Sequence, residues 1–324
     1  MKKIIFISII FITSFLSISC EEDFSPFGEF SEKYVLTCIL RGDTTLQTAT
    51  LSSSYFTGTL NPDDNTTDPS IQFADVRIWY EDSVYVLKDT SIARIDTSRY
   101  TTPFTFYFTD RFKVGFNKPI EIEVLLQNGK RLQAESYTPK DIIFSNQSSV
   151  LIPPVSGNII NIYWGNGNSG AFYLPKLFIR YSVSVDNVVT HYKSEIPVSY
   201  SVIDGVEKAV YPSPSNRLVR IYNMETVIKT LEKLPELFDD NAQITVYEKL
   251  YFTLSIFDDN LTRFVSSTSQ SFEDLTVRVN ENDYSNVEGG LGIFGSYINK
   301  DLDRLRFQAE FIQSFGYHFI YENL

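Results

Sequence analysis

Histidine and cysteine are the scarcest functional residues in this chain: two of each in 324 residues. Two cysteines cannot build a disulfide framework, and two histidines cannot build a histidine-rich metal cage. Positive charge is also short, with 28 Lys+Arg against 40 Asp+Glu and a net charge of -12. Nucleic acid is thereby excluded as a partner, because phosphate binding needs a Lys/Arg-rich face that releases counterions. What the chain does have is aromatic mass, 26 Phe and 20 Tyr besides Trp79 and Trp164. Most of these side chains must fill cores, while a minority is left to stack on a ligand such as a sugar ring. The length exceeds what one hydrophobic core usually serves, so two domains are expected.

The first twenty residues hold the strongest local signal. Lys2 and Lys3 precede an uncharged run from Ile4 to Ser19, and Cys20 follows directly. This reads as an export signal over residues 1–19. A retained membrane helix would need about 20 apolar residues, and this run stops at Glu21, Glu22 and Asp23. Leu16-Ser17-Ile18-Ser19-Cys20 resembles a bacterial lipobox, with Ser17 where Leu is usual and Leu16 one place further out. The alternative is an ordinary signal peptide that happens to contain a cysteine. The lipobox resemblance implies that Cys20 is acylated, becomes the first mature residue and joins the protein to the outer-membrane bilayer. One acyl chain binds a membrane only marginally, whereas several hold a protein there for good. Loss of Lys2 and Lys3 with the signal makes the mature chain more acidic by two charges, so the tether and not the protein face is expected to hold it to anionic lipid. Glu21, Glu22 and Asp23 resemble the surface-export signal of Bacteroidota lipoproteins; the alternative is a solvated linker over residues 20–30. Cys38 is then the sole thiol. It sits in the strand-like run Tyr34 to Leu40, as a small core residue would, and neither His191 nor His318 lies in a catalytic sequence context for it.

Along the mature chain, short alternating segments predict an all-β fold of two β-sandwich domains, residues 31–138 and 139–324. Tyr34 to Leu40, Thr48 to Ser52, Ala74 to Tyr80, Ser83 to Leu87, Thr105 to Phe108, Ile120 to Gln127 and Lys130 to Glu135 are the strands expected in the first. Asn128-Gly129 predicts a type I′ hairpin turn between the last two. The polar loop Asn61 to Pro69 carries carboxylates but matches no calcium-binding loop, and no metal site is expected. In the second half, strands are expected at Ile159 to Trp164, Phe178 to Val185, Tyr200 to Val202, Leu218 to Tyr222 and Thr245 to Ile256. The glycine-rich stretch Gly165 to Gly170 lacks the Lys-Ser/Thr of a phosphate loop and is read as a turn. One short helix is expected, capped by Asn223, with Val227, Ile228, Leu231 and Leu234 on one face and Pro235 at its end. At the tail, Leu305, Phe307, Ala309 and Phe311 alternate as a strand would, while Phe307, Phe311 and Phe315 suit a helix ending at Gly316; strand is the preferred reading.

A final motif is Asn286-Val287-Glu288-Gly289-Gly290-Leu291-Gly292-Ile293-Phe294-Gly295. Glycines here permit close backbone approach and positive φ, while an all-β setting gives them no dinucleotide to cradle. With the signal, the acidic start, the Ala74-Asp75-Val76 strand and the Asn-Gly hairpin leading to Thr138-Pro139, this motif resembles the Bacteroidota lipoproteins grouped as domain of unknown function 4249. The resemblance implies a transthyretin- or immunoglobulin-like N-terminal domain, a second β-domain and company with TonB-dependent receptors of the SusC type. It supplies no catalytic residue and no cofactor. Asn286, Glu288, Gly289, Gly290, Gly292, Phe294 and Gly295 are therefore taken as a structural signature.

Three functions of different class follow. First is a non-enzymatic, lipid-anchored lipoprotein of the outer membrane, facing the cell surface, that binds a ligand for a TonB-dependent (SusC-like) uptake system. Second is a structural or adhesive surface module. Third is a hydrolase using Asp239-Asp240 or Asp258-Asp259, disfavoured because neighbouring acids on a strand point to opposite faces; both pairs are read as turns. A membrane barrel would make a lipid anchor redundant.

Overall fold

The computed structural model describes residues 30–57, 61, 64–165, 167–238, 242–269 and 284–322. The signal, Cys20 and Glu21 to Asp23 lie outside the described residues. The first part contains the seven expected strands: β1 (Tyr34–Arg41), β2 (Gln47–Ser53), β3 (Asp75–Tyr80), β4 (Ser83–Ile92), β5 (Phe104–Thr109), β6 (Pro119–Leu125) and β7 (Arg131–Tyr137). The second part adds β8 (Ile143–Phe144), β9 (Leu151–Ile152), β10 (Ile159–Gly165), β11 (Tyr173–Val185), β12 (Val188–Glu195), β13 (Ser199–Ile203), β14 (Val206–Val210) and β15 (Val219–Asn223). After helix α1 (Met224–Glu232) come β16 (Gln243–Tyr247), β17 (Tyr251–Phe257), helix α2 (Asp259–Ser269), β18 (Leu291–Leu302), β19 (Arg306–Phe307), helix α3 (Ala309–Gln313) and β20 (His318–Ile320). The fold is all-β, and no helix among the described residues is long and apolar enough to cross a membrane.

Thirteen strands share one sheet in the order β20-β16-β11-β17-β18-β1-β2-β5-β4-β3-β6-β7, with β12 on the free side of β11. Two cores lie against it. In the first, alternation buries Leu36, Cys38 and Leu40 from β1 and Ile78, Ile122 and Leu132 from β3, β6 and β7. In the second, Leu177, Ile179, Phe252, Leu254 and Ile256 face Val227 and Leu231 of α1. Each such side chain, fully withdrawn from water, contributes roughly 1.5–3 kcal/mol. Asn223 caps α1 as expected, accepting from Glu225 N at 3.1 Å.

β18 joins the two. It runs parallel to β1, from Val35–Leu291 to Arg41–Tyr297, and its later residues run antiparallel to β17, from Phe257–Tyr297 to Phe252–Leu302. Val287, Phe294 and Ile298 thereby complete the first core, although they come from the far end of the chain. Glu288 also exchanges backbone hydrogen bonds with Gln133 of β7 (3.1 and 2.8 Å), so the segment entering β18 meets β7 on one side while β18 meets β1 on the other. The part of the sheet formed by β1 to β7 thus returns on itself at the glycine-rich motif.

Several local expectations need correction. The Asn128-Gly129 turn is not type I′: only Gly129 of the pair has positive φ (81°). Gly129 N donates to Leu126 O and Leu126 N to Lys130 O, both at 2.9 Å, giving a three-residue loop with a glycine bulge. The Asn128 side chain instead accepts from Lys130 N and donates to the Tyr34 hydroxyl. The stretch Thr245 to Ile256 is two strands, β16 and β17, that flank β11 in succession. The glycine-rich motif, to which the sequence assigns no secondary structure, is from Leu291 onward an interior strand of the sheet. Helices α2 and α3 join the single expected helix. Between Leu305 and Gly316 only Arg306 and Phe307 are strand, then α3 forms and the chain turns at Gly316 (φ 81°); Phe307, Phe311, Ile312 and Phe315 all pack on the second core, whereas a continuous strand would turn Ile312 to the face opposite the three phenylalanines.

The glycines of the seam allow no side chain. A Cβ on Gly292 (φ 120°) would lie 1.9 Å from Leu36 O, and one on Gly290 would lie 2.5 Å from Tyr34 O. On Gly289 (φ 78°) it would meet Arg131 O at 2.3 Å. Backbone cannot give way here without parting the strands. Gly292→Ala is expected to cost about 3 kcal/mol or more, or to prevent folding. Gly129→Ala, at positive φ but in open space, should cost only about 1 kcal/mol. Urea denaturation of the two variants checks this, and equal midpoints would show that the seam is not closely packed.

Candidate binding groove

Where β11, β17 and β18 lie side by side, their outward faces line a cavity of about 710 Å³. Its position follows from the period of two. While Leu177, Phe252, Leu254, Ile256 and Ile298 point into the cores, the alternate residues Lys176, Phe178, Tyr251, Ser255, Tyr297 and Asn299 point outward. The end of β1 closes one side with Arg41, Gly42 and Asp43.

The floor is a hydrogen-bonded network. Arg41 donates twice to Asp43, Nε to Oδ1 at 3.0 Å and Nη2 to Oδ2 at 2.9 Å. Asn299 Nδ2 reaches Asp43 Oδ2 at 3.5 Å, and Ser255 Oγ donates to Asn299 Oδ1 at 2.7 Å. The Tyr251 hydroxyl donates to Asp301 Oδ1 at 3.0 Å. The Arg41 hydrogen bond holds the Asp43 carboxyl below its ordinary value, against some desolvation. Tyr251 and Tyr297 are raised, by burial first and then by the neighbouring carboxylates, so both keep their protons at neutral pH.

The charges at the rim differ from those of the whole chain. Lys113, Lys176 and Lys193 join Arg41 in the lining, against Asp43 and Asp301. Among the described residues these three lysines form no close ion pair, while Lys193 Nζ stands 4.9 Å from the centre of the Phe178 ring. Glu195 interacts with two of them: burial raises its pKa, and Lys176 and Lys193 partly offset that. A polar ligand with a flat apolar face and a negative group fits such a lining, through aromatic stacking, cation contacts and the Asn299–Ser255 network.

The expected site residues are elsewhere. Asn286 holds the seam with its side chain, accepting from Phe294 N at 2.9 Å and donating to Phe294 O at 2.8 Å. Glu288 takes part through its backbone, while Phe294 is fully buried. Gly295 lies against Asp258 and Leu261, where a Cβ would come within 3.1–3.2 Å. Cys38 is fully buried, and burial raises its thiol to about 12, so it carries no thiolate at neutral pH. His191 Nδ1 pairs with the Tyr247 hydroxyl and His318 Nε2 with Gln243, both at 2.8 Å. Trp164 is buried in the second core and Trp79 is half-buried. In the polar loop, Asp68 is engaged by Ser70, Arg94 and Thr102; these hydrogen bonds outweigh burial and bring its carboxyl down to about 2.

Asp239 and Asp240 lie outside the described residues. Asp258 and Asp259 do not form a couple, and Asp258 is no surface turn. Asp258 is fully buried and caps α2: Oδ1 accepts from Leu261 N at 2.7 Å, and Oδ2 accepts from Ser136 Oγ of β7 and Ser296 Oγ of β18 at 3.0 and 2.8 Å. Asp259 turns away to Asn168. The cap was legible, since Asp258 stands three places before Leu261 with Phe264 and Val265 following at helical spacing. The groove was not, because its lining comes from strands far apart in sequence.

No protein-family model and no curated protein matches the chain.

Burial raises the Asp258 carboxyl from 3.8 to about 6, outweighing its hydrogen bonds, which favour the charged form. Between those values the folded chain holds a proton that the unfolded chain has lost, so this contribution to stability is full below about pH 4 and is lost as pH rises through about 6. Asp258→Asn should therefore gain stability relative to the parent from pH 4 to 7 in urea titrations. Parallel pH profiles would show that Asp258 does not titrate in that window.

Proposed function

We propose that the chain is a lipid-anchored lipoprotein of the outer membrane, displayed on the cell surface, that binds a ligand in the β11–β17–β18 groove. In this reading it is a non-enzymatic accessory of a TonB-dependent (SusC-like) uptake system, and it belongs with the Bacteroidota lipoproteins of domain of unknown function 4249. The groove carries the binding part of the proposal. It is a preformed concave face with aromatic and cationic side chains on a rigid sheet, and its acids are already engaged by Arg41 and Tyr251. A general acid and base need free groups facing a common point, and those carboxylates are oriented to hold neighbours instead. The N-terminal signal and Cys20 support the anchoring part, and the resemblance of residues 286–295 supports the family and the receptor.

Two measurements test the two parts. Metabolic labelling with an alkyne fatty acid should mark the parent in bacterial membranes and not the Cys20→Ala variant; equal labelling of both would refute acylation at Cys20. For the groove, the chain from residue 21 onward would be titrated calorimetrically against a panel of neutral and acidic oligosaccharides. A ligand found there should lose about tenfold to a hundredfold in affinity on Lys176→Ala with Tyr251→Ala, or about 1.4–3 kcal/mol. Undiminished binding by the double variant would place the site elsewhere.

A further inference from the structure

β1 and β18 begin together at Tyr34, Val35 and Leu291 and run in parallel toward the second core. At about 3.3 Å per residue, the 12 residues of β18 span roughly 40 Å. The molecule therefore has a far end, at the second core, and a near end, where the chain comes in at residue 30. Lys33 fixes the incoming chain there, its N donating to Ser54 Oγ at 2.8 Å and its O accepting from Ser54 N at 2.7 Å. The registers bring the ends of β2, β4 and β6 and the starts of β5, β7 and β18 to this same end.

That end exposes large apolar side chains at strand tips and in the loops beyond. Phe30 and Phe56 are half exposed with ring centres 5.9 Å apart, Ile92, Leu125 and Leu291 end or begin strands with about half their surface in water, and Ile95 is wholly exposed. Beside them Arg99 stacks on Tyr55 and Tyr100, and Arg94 on Tyr100 and Phe104. Lys33, Arg94, Arg99, Lys130 and Arg131 lie among these residues, together with Glu32, Asp64, Asp68, Asp75, Asp96 and Glu288. Exposed aromatics and aliphatics rimmed by arginine and lysine are what a lipid headgroup boundary accommodates.

We propose that this end, carrying Phe30, Phe56, Ile92, Ile95, Leu125 and Leu291, rests on the lipid bilayer, a second membrane contact beyond the acyl chains. The inference rests on the anchoring reading, and chain length gives the geometric reason. Ten residues separate Cys20 from Phe30, and fully extended they reach at most about 35 Å. The near end can never leave the neighbourhood of the membrane, whereas the second core can. Once tethered, the apolar tip meets lipid at high effective concentration, so a contact too weak to bind the free protein suffices to orient the bound one. The groove, six residues along β18 at Tyr297, then stands about 20 Å above the tip.

The test separates this contact from native acylation. The chain from residue 20 to 324 is coupled through Cys20 to a maleimide lipid, which spares the buried Cys38, in phosphatidylethanolamine/phosphatidylglycerol vesicles with brominated acyl chains. Ile95→Trp and, separately, Phe56→Trp are compared with Val202→Trp on the exposed β13–β14 hairpin beside α1, each after subtraction of the parent signal. The added fluorescence of the first two should fall at least twofold relative to unbrominated vesicles, with Val202→Trp unchanged. No quenching at positions 95 and 56, or equal quenching at all three, overturns the proposal. Concentration-dependent shielding of these positions without bromine quenching overturns it in favour of a second copy of the chain. Failure of the fatty-acid labelling would leave this result untouched, because the lipid is attached chemically.

Discussion

The backbone contact on which the rest of the molecule depends is that of β18 with β1, made possible by glycine. Two parallel strands pack at ordinary spacing only if nothing stands between them and the third backbone that crosses there. At Gly289, Gly290 and Gly292 the neighbours of the missing side chains are carbonyl oxygens of Arg131, Tyr34 and Leu36, which have no room to retreat. Because those oxygens belong to β7 and β1, one short segment holds the first and last strands of the β1–β7 part of the sheet at once. Asn286 then locks the segment with a two-point grip on Phe294. The result is a first core completed by residues more than 150 positions later in the chain than most of its members.

The same strand couples that closure to the groove. Tyr297, Asn299 and Asp301 can line it only because β18 continues past β1 and changes partner to β17. Asp258 sits at this change of partner, with Ser136 from β7, Ser296 from β18 and the first turn of α2 converging on one buried carboxyl. Burying a carboxylate costs free energy unless its oxygens are hydrogen-bonded, and here hydroxyls and a backbone amide satisfy it without a counter-charge. A salt bridge would have bound the two halves by charge. A proton-dependent hydrogen-bond cluster binds them by geometry instead.

Much of the first part was legible because its strands alternate cleanly. Leu36, Cys38 and Leu40 announce a buried face with no outside help, and Asn223 before Val227 and Leu231 announces a capped amphipathic helix. The turn at Asn128-Gly129 was misjudged because turn type depends on what the Asn side chain does, and here it is drawn to Tyr34, some 94 residues earlier. Genuine paired positive φ values occur instead at Asp186-Asn187 and Asp204-Gly205, less conspicuous dipeptides. The tail mixed two periods because its phenylalanines serve one core from two successive elements. The glycine-rich motif showed its composition but hid its conformation, since the close approach that requires those glycines involves strands more than 150 residues away.

By itself, the sequence settled the all-β class, the strands of the first part, the α1 helix and the burial of Cys38, for each follows from periods of two or 3.6 residues and from side-chain chemistry that act within a few residues. Only the tertiary structure decided that one sheet runs through both cores, that a late strand pairs parallel with the earliest one, that Asp258 is an internal cap, and that lysines and aromatics meet in a groove. Each of these is a contact between segments far apart in the chain. Local periodicity states which face of a strand is apolar, but not which other strand will lie beside it.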